Sequence, residues 1–196
     1  MGASKFPRLS SLILAPKRSA EPSRIIIMLR SIFFTAFALV SSIHAAELEV
    51  AGLKFVSPPG WKASETPRPM SAGGFTKEGE AKIDATFFHF PNGQGGDVEA
   101  NLARWTGQFA AEPAAKVERE NVKAGDKEIV IVSITGTYKG SSMRPEPTPL
   151  ENHVTLAAIV PGPQGNVFIR LNAPKAVADA SKTDFKTLAA SPYPAK

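Results

Sequence analysis

The sequence predicts an α+β domain, in which a mostly antiparallel sheet of about six to eight strands packs against two helices. Short runs of β-branched and aromatic residues, separated by glycine and proline turns, indicate strands that follow one another closely. Short connections between consecutive strands favour antiparallel pairing, because parallel strands need a long crossover. Two amphipathic segments, one central and one near the C-terminus, supply the helices.

A leader at residues 1–45 precedes the predicted single domain at 46–196. Arg30 is followed by an apolar run at 32–40 and then by small residues, a pattern typical of a secretory signal that is cleaved after Ala45. The run is about half as long as the roughly 20 residues that span a bilayer. No permanent membrane anchor is therefore expected once the signal is cleaved.

A secretory signal that begins at Met28 would have an ordinary length. A second interpretation of residues 1–27 is therefore that the start codon has been assigned too far upstream. Two alternatives to a cleaved signal also stay open. In the first, the long N-terminal segment, which is basic and poor in acidic residues, is an organelle transit peptide. In the second, the signal is not cleaved and stays on the protein. The leading prediction is export to a periplasm or to the outside of the cell.

The distribution of charge excludes one class of function. The whole chain has a net charge of +5, but six of its 23 basic residues and only one of its 18 acidic residues precede residue 46. The predicted domain is therefore neutral, and it lacks the basic surface expected of a nucleic-acid-binding protein. The chain has no cysteine, so disulfides and thiol nucleophiles are excluded as well.

The first half of the domain predicts a hairpin at 47–56 and strands at 74–76 and 81–90, with a proline-containing loop at 62–71. Pro58 and Pro59 end the hairpin because neither can donate to a strand ladder. Phenylalanines on both faces of the 81–90 strand indicate a central strand that is covered on both sides.

The central helix follows a glycine-rich turn at 92–96. Asp97 is a favoured N-cap residue, and Pro113 prevents the helix from continuing. An apolar stripe at helical spacing is formed by Val98, Leu102, Trp105 and Phe109.

The second half predicts an edge strand, a long β-branched strand and a hairpin. These strands are placed at 117–122, 128–139, 154–160 and 167–171. A proline-rich excursion is predicted at 140–149. Pro174 is well placed to begin the last helix. Its predicted apolar positions are Val177, Ala180, Phe185 and Leu188.

Several short stretches carry a resemblance to known proteins. They are Phe55, Pro59-Gly60-Trp61, the helix at 99–109 and Gly136-Thr137-Tyr138. With them, the chain resembles a group of uncharacterised secreted bacterial proteins over most of 47–190. The element order is also similar to the Mog1/PsbP-like sandwich, whose members bind a small GTPase or dock onto photosystem II. Their contact residues find no match here, so the resemblance implies the fold and no site.

The glycine turn before the central helix invites comparison with a phosphate-binding loop. It lacks the Gly-Lys-Ser/Thr ending of a P-loop and the spacing of a dinucleotide fingerprint. Asp97 and Glu99 also occupy the helix N-terminus, where they would repel an anion. A flexible turn with an N-cap is the favoured interpretation.

His89 and His153 are the histidines of the predicted domain, and each lies near an end of a predicted strand. They could lie close in space and, with Glu151 or Asp84, form a weak metal site. No pair has the spacing of a ligand set, so neither a metal nor a cofactor is predicted. A serine–histidine site is recognised by geometry rather than by order, which keeps a hydrolase around His89 or His153 as an alternative.

Two sets of polar residues are candidates for binding. Asn101, Arg104 and Gln108 are polar residues of the central helix, and their competing interpretation is a solvated helix face. Arg144 and Glu146 lie on the predicted proline-rich loop, where binding residues are common, although a plain surface loop explains them too. The sequence thus favours an exported, non-enzymatic module that binds an unknown protein or small molecule.

Overall fold

A computed structural model describes residues 45–65, 68–77, 79, 82–141 and 144–193 of the chain, without the side chain of Arg144. The leader predicted for residues 1–45 lies outside the described residues, except for Ala45. The strands are β1 (Glu47–Val50), β2 (Leu53–Val56), β3 (Trp61–Ala63), β4 (Gly73–Lys77), β5 (Ile83–His89), β6 (Lys116–Ala124), β7 (Lys127–Ser141), β8 (Arg144–Val160) and β9 (Val167–Pro174). The helices are α1 (Val98–Thr106) and α2 (Lys175–Ala190), with a short 3-10 turn at Pro91–Gly93.

Seven of these strands form one antiparallel sheet in the order β3-β4-β5-β9-β8-β7-β6, and β1 and β2 form a separate hairpin. Strands β6 to β9 are a meander whose last strand returns to pair with β5. Strand β6 is an edge strand, as its charges predict. The predicted α+β class, with a large antiparallel sheet and two helices, is confirmed.

The two faces of the sheet carry different elements. Helix α1 packs on one face, where Trp105 and Phe109 meet apolar residues of β7, β8 and β9. Helix α2 and the β1–β2 hairpin pack on the opposite face, around Phe55, Phe87 and Phe185. Because both faces are covered, β5 carries apolar residues on both sides, as its sequence predicts.

The predicted excursion at 140–149 is wrong. Strand β7 continues to Ser141 and β8 begins at Arg144, with irregular pairing that includes Gly140 opposite Pro145. Beyond His153, β9 has ended, so this part of β8 pairs with β7 alone. Proline is tolerated there because an edge segment with register shifts has nitrogens that need no partner.

Two smaller predictions also need correction. Strand β3 lies at the start of the predicted loop at 62–71 and pairs with β4. In α2, Ala180 is exposed and does not belong to the buried stripe. The buried positions of α2 are Ala178, Ser181, Phe185, Leu188 and Ala189. Their spacing is helical, and the stripe is displaced from the predicted one because small residues serve as well as large ones against the sheet.

Asp184 of α2 ties this helix to the first strands of the sheet. Its carboxylate accepts hydrogen bonds from Trp61 Nε1 at 3.0 Å and from Lys77 Nζ at 2.7 Å. Burial raises the pKa of Asp184, but the hydrogen bonds from Lys77 and Trp61 outweigh it and hold the pKa below its ordinary value of 3.8. Because the folded-state pKa is depressed, this stabilisation is present above the ordinary value and is lost as pH falls through the folded-state pKa.

We expect Asp184→Asn to lower the free energy of unfolding by about 1 kcal/mol near neutral pH, since a charged acceptor is lost from a partly exposed site. The difference from wild type should shrink on acidification, because the wild-type carboxylate is then protonated. Urea unfolding near pH 7 and at roughly pH 2, well below the ordinary pKa of an aspartate, measures both values. Glu49→Gln, which removes an exposed carboxylate of β1 that has no hydrogen-bond or ion-pair partner among the described residues, is the control. A difference that stays constant across this range would contradict the assignment.

Candidate functional site

The start of α1 is built by local hydrogen bonds. The Asp97 carboxylate accepts from the Ala100 amide at 2.7 Å, as predicted for an N-cap. Asn101 is buried, and its Nδ2 donates to the carbonyls of Gly95 and Asp97, each at 2.8 Å. The interpretation of Asn101 as part of a solvated face is therefore wrong. Its side-chain amide nitrogen makes both of these hydrogen bonds, which hold the glycine turn against the start of the helix.

The end of α1 brings Gln108 into the interior. The helix ends at Thr106, and the chain then pairs with β7, where Lys139 N donates to Gln108 O and Ala110 N to Thr137 O, each at 2.8 Å. Past the helix end, the helical period no longer sets the direction of the side chain. Gln108 is only 7% exposed, so the predicted solvated face is wrong for this residue too.

Gln108 lies at the centre of a group of hydrogen-bonded side chains, here called the Arg170 network. Arg170 Nη2 donates to Gln108 Oε1 at 2.7 Å, and the Tyr138 hydroxyl lies 3.4 Å from the same oxygen. Asn172 Nδ2 lies 3.3 Å from the Tyr138 hydroxyl, and Thr155 Oγ1 donates to Asn172 Oδ1 at 2.7 Å. The network joins β7, β8 and β9 to the end of α1.

Arg170 is the cation of this network, and it is poorly compensated. Its Nε is buried and has no hydrogen-bond partner within the described ranges. No carboxylate of the described residues forms an ion pair with it. Burial lowers the pKa of Arg170, contact with Tyr138 opposes this, and repulsion from Arg104 and Arg68 lowers the pKa further. Arginine remains charged at any physiological pH, so the site holds an uncompensated cation.

Two further arginines lie at the edge of this site. Arg104, exposed on α1, donates from Nη2 to Asn101 Oδ1. Arg68 pairs with Asp84 of β5 at 3.3 Å, and Asp84 also accepts from Thr76 Oγ1 at 2.7 Å. The carboxylate of Asp84 is thus occupied by Arg68 and Thr76.

The two histidines are not neighbours. His89 pairs in register with Val167 at the start of β9, whereas His153 pairs with Pro174 at its end. Seven residues of extended strand separate these positions by roughly 23 Å. The expectation that the histidines could lie close together is wrong, because His89 of β5 and His153 of β8 lie beside opposite ends of β9.

Only one of the histidines lies beside the Arg170 network. His153 stacks on the Tyr138 ring with centroids 5.6 Å apart, and burial lowers its pKa while Glu146 opposes this shift. His89 Nδ1 lies 3.4 Å from the Asn166 carbonyl oxygen, far from that network. Arg144 and Glu146 lie on β8 rather than on a loop, and the side chain of Arg144 is outside the described residues.

Sequence reasoning missed Arg170, Tyr138 and Asn172 as members of the site. One signal for Arg170 was available, because it is a lone charge inside the otherwise apolar run Val167–Leu171. A charge at such a position is rarely buried without a partner. Tyr138 and Asn172 carry no comparable signal, since their neighbours depend on which strands pair.

A cleft lies on the opposite face of the sheet, between α2 and strands β6 and β7, with a volume of about 250 Å³. Its floor includes Ile131, Leu156 and Phe185, and charged side chains of β6 and α2 form its rim. Ser133 Oγ, which is buried beside this floor, has no hydrogen-bond partner within the described residues. None of the predicted site residues lines this cleft.

The described parts of the chain hold no group of three or more His, Cys, Asp or Glu side chains that could bind a metal ion. Neither α1 nor α2 has the length and hydropathy required to span a bilayer, and no other described helix does.

Among solved structures, the chain is similar to the solution structure of cyanobacterial PsbP (CyanoP) from Synechocystis sp. PCC 6803, with a TM-score of 0.44 and 15% sequence identity. The alignment covers 81% of this chain and 96% of that one. No family model matches the chain, and no curated protein matches it significantly. A similarity of this size carries no argument about what the chain binds.

Proposed function

We propose that this chain is an exported, non-enzymatic binding module whose ligand contacts the Arg170 network between α1 and β9. The observation that carries the proposal is the uncompensated guanidinium of Arg170, which has one amide oxygen as its close acceptor and a buried Nε without a partner in the described chain. A partly buried cation without a counter-charge is destabilising, and a bound ligand of opposite charge would offset that cost.

The position of the site supports binding rather than a purely structural role. Arg104 and Arg68 reach the same region from α1 and from the loop before β4, so two different segments of chain could respond to one ligand. The floor, by contrast, belongs to strands of a rigid sheet. Sites with a rigid floor and adjustable edges are common in binding proteins.

Export belongs to the same proposal and is supported by the signal-like leader. The apolar run after Arg30 and the small residues before Ala46 are its basis. Release by cleavage would leave a neutral domain without cysteine, which suits an oxidising compartment. N-terminal sequencing of the protein from cells tests this part, and an intact Met1 or Met28 would contradict it.

The binding role is tested by equilibrium dialysis of the purified chain against a small-molecule extract of the cells that produce it, read by mass spectrometry. We expect at least one compound to be enriched by wild type and to lose about tenfold in affinity in Arg104→Gln, since a charge-assisted hydrogen bond is removed. Arg119→Gln, which removes the same charge from the edge strand β6, is the matched control and should bind as wild type does.

Two results would count against the proposal. If no compound is enriched, or if every enriched compound is indifferent to Arg104, the Arg170 network is not the binding site. If compounds disappear with time and new products form, the hydrolase alternative is favoured. His153→Ala would then test whether the histidine beside Tyr138 is responsible.

A further inference from the structure

The Arg170 network has an excess of positive charge. Arg68, Arg104 and Arg170 lie close enough for the first two to repel the third. Within the described residues, the one ion pair that any of these arginines forms is that of Arg68 with Asp84. Three guanidinium groups therefore share one carboxylate, which leaves two positive charges without compensation.

The hydrogen bonds of Arg170 are also incomplete. A guanidinium has five N–H donors. Gln108 Oε1 accepts one of them at 2.7 Å, and the Tyr138 hydroxyl lies against the same amide oxygen. Nε–H has no acceptor in the described chain. Neutral acceptors of this kind hold the side chain in place, but they do not cancel its charge.

Both Arg104 and Arg170 are at least partly accessible to solvent. Arg104 is exposed, and its Nη2 donates a hydrogen bond to Asn101 Oδ1 on the same helix. Arg170 itself is partly accessible to solvent rather than fully buried. A change in the rotamer of Arg104 would let its guanidinium group turn toward a ligand that is bound beside Arg170. Exposed side chains make such changes on a picosecond to nanosecond scale.

From this geometry we propose that the Arg170 network binds a small oxyanion with two negative charges, such as a phosphate or a dicarboxylate. Its oxygens accept from Arg170 at the floor and from Arg104 at the rim, while Gln108 holds the guanidinium of Arg170 in position. The inference rests on the proposed binding function and specifies its ligand class. The two negative charges of such an anion match the two positive charges of the network that have no carboxylate partner. The paired N–H groups of a guanidinium also fit the oxygens of a phosphate or a carboxylate.

The test is calorimetric titration of the purified chain with inorganic phosphate, succinate and acetate at one ionic strength. We expect phosphate or succinate to bind at least about tenfold more tightly than acetate, because the second charge finds a second guanidinium. The stronger of the two identifies the chemistry as phosphate or dicarboxylate. Equal, weak binding of all three would overturn the inference.

Two variants locate the site, and one controls for net charge. Arg170→Gln and Arg104→Gln should each weaken binding of the preferred dianion by about tenfold or more. Arg119→Gln should bind as wild type does, because Arg119 lies three strands away from Arg170, roughly 14 Å along the paired positions. Wild-type affinity in both Arg170→Gln and Arg104→Gln would overturn the inference.

Thermal unfolding without any added anion separates a ligand-binding arginine from a structural one. Removing an uncompensated charge should leave Arg170→Gln with a melting temperature equal to or higher than that of wild type, whereas a structural arginine would lower it. Added dianion should raise the melting temperature of wild type and not that of the variant. If no dianion binds but the enrichment from cell extract still depends on Arg104, the ligand class is wrong and the binding function stands.

Discussion

Trp105→Ala is expected to lower the free energy of unfolding by about 3–5 kcal/mol, the range for truncating a large buried aromatic side chain. Trp105 is only 1% exposed and packs edge-on against Phe168 of β9, with ring centroids 6.5 Å apart. It is the main apolar anchor of α1 on its face of the sheet. Urea unfolding of wild type and variant measures the loss.

Undocking α1 should also abolish binding at the Arg170 network. Arg104 precedes Trp105 directly, and Gln108 follows the helix end that Trp105 holds against the sheet. Leu102→Ala, a partly buried position of the same stripe, is the matched control and should cost less stability and leave binding measurable. A Trp105→Ala protein that is as stable as Leu102→Ala would contradict the role of Trp105 as the anchor.

Phe87→Ala is expected to cost a similar amount, about 3–5 kcal/mol, but through the other face of the sheet. Phe87 is fully buried and makes edge contacts with Phe55 at 4.8 Å and with Phe75 at 5.6 Å between centroids. These contacts join β5 to the β1–β2 hairpin and to β4. The same urea titration measures the loss.

The two large truncations should differ in their effect on binding. Phe87 faces away from the Arg170 network, so the variant should keep its affinity for ligand at temperatures well below its unfolding transition. Phe88→Ala, one residue later and partly buried on the α1 face, is the control for aromatic truncation and should destabilise less. Loss of binding by a folded Phe87→Ala protein would show that the two faces are coupled more tightly than their packing indicates.

Local physics made much of the fold predictable. The N-cap Asp97, the apolar stripe of α1, the long β-branched run of β7 and the glycine turn between β8 and β9 all depend on residues within a few positions of one another. Their periodicity and turn residues can be recognised without knowledge of the rest of the chain. The errors at 140–149 and at Ala180 arose where strand pairing or helix docking, rather than local preference, decides the outcome.

The candidate site was predictable only in part. Arg104 and Gln108 were chosen because they are polar residues on a well-defined helix. Their expected exposure held for Arg104 and failed for Gln108, because the helix ends two residues before it and the chain then joins β7. Asn101 was buried by the turn that precedes its helix. A helical projection of the sequence shows which residues share one face of a helix. It does not show which other segments of the chain cover that face.

By itself, the sequence determined the α+β class, the neutral charge of the domain and the absence of cysteine, because these follow from composition and local pattern. Only the tertiary structure decided which polar residues share a site. Gln108 and Arg170 are 62 positions apart and meet because β9 returns to the centre of the sheet beneath the end of α1. A contact of that range depends on strand order, and no local pattern encodes strand order.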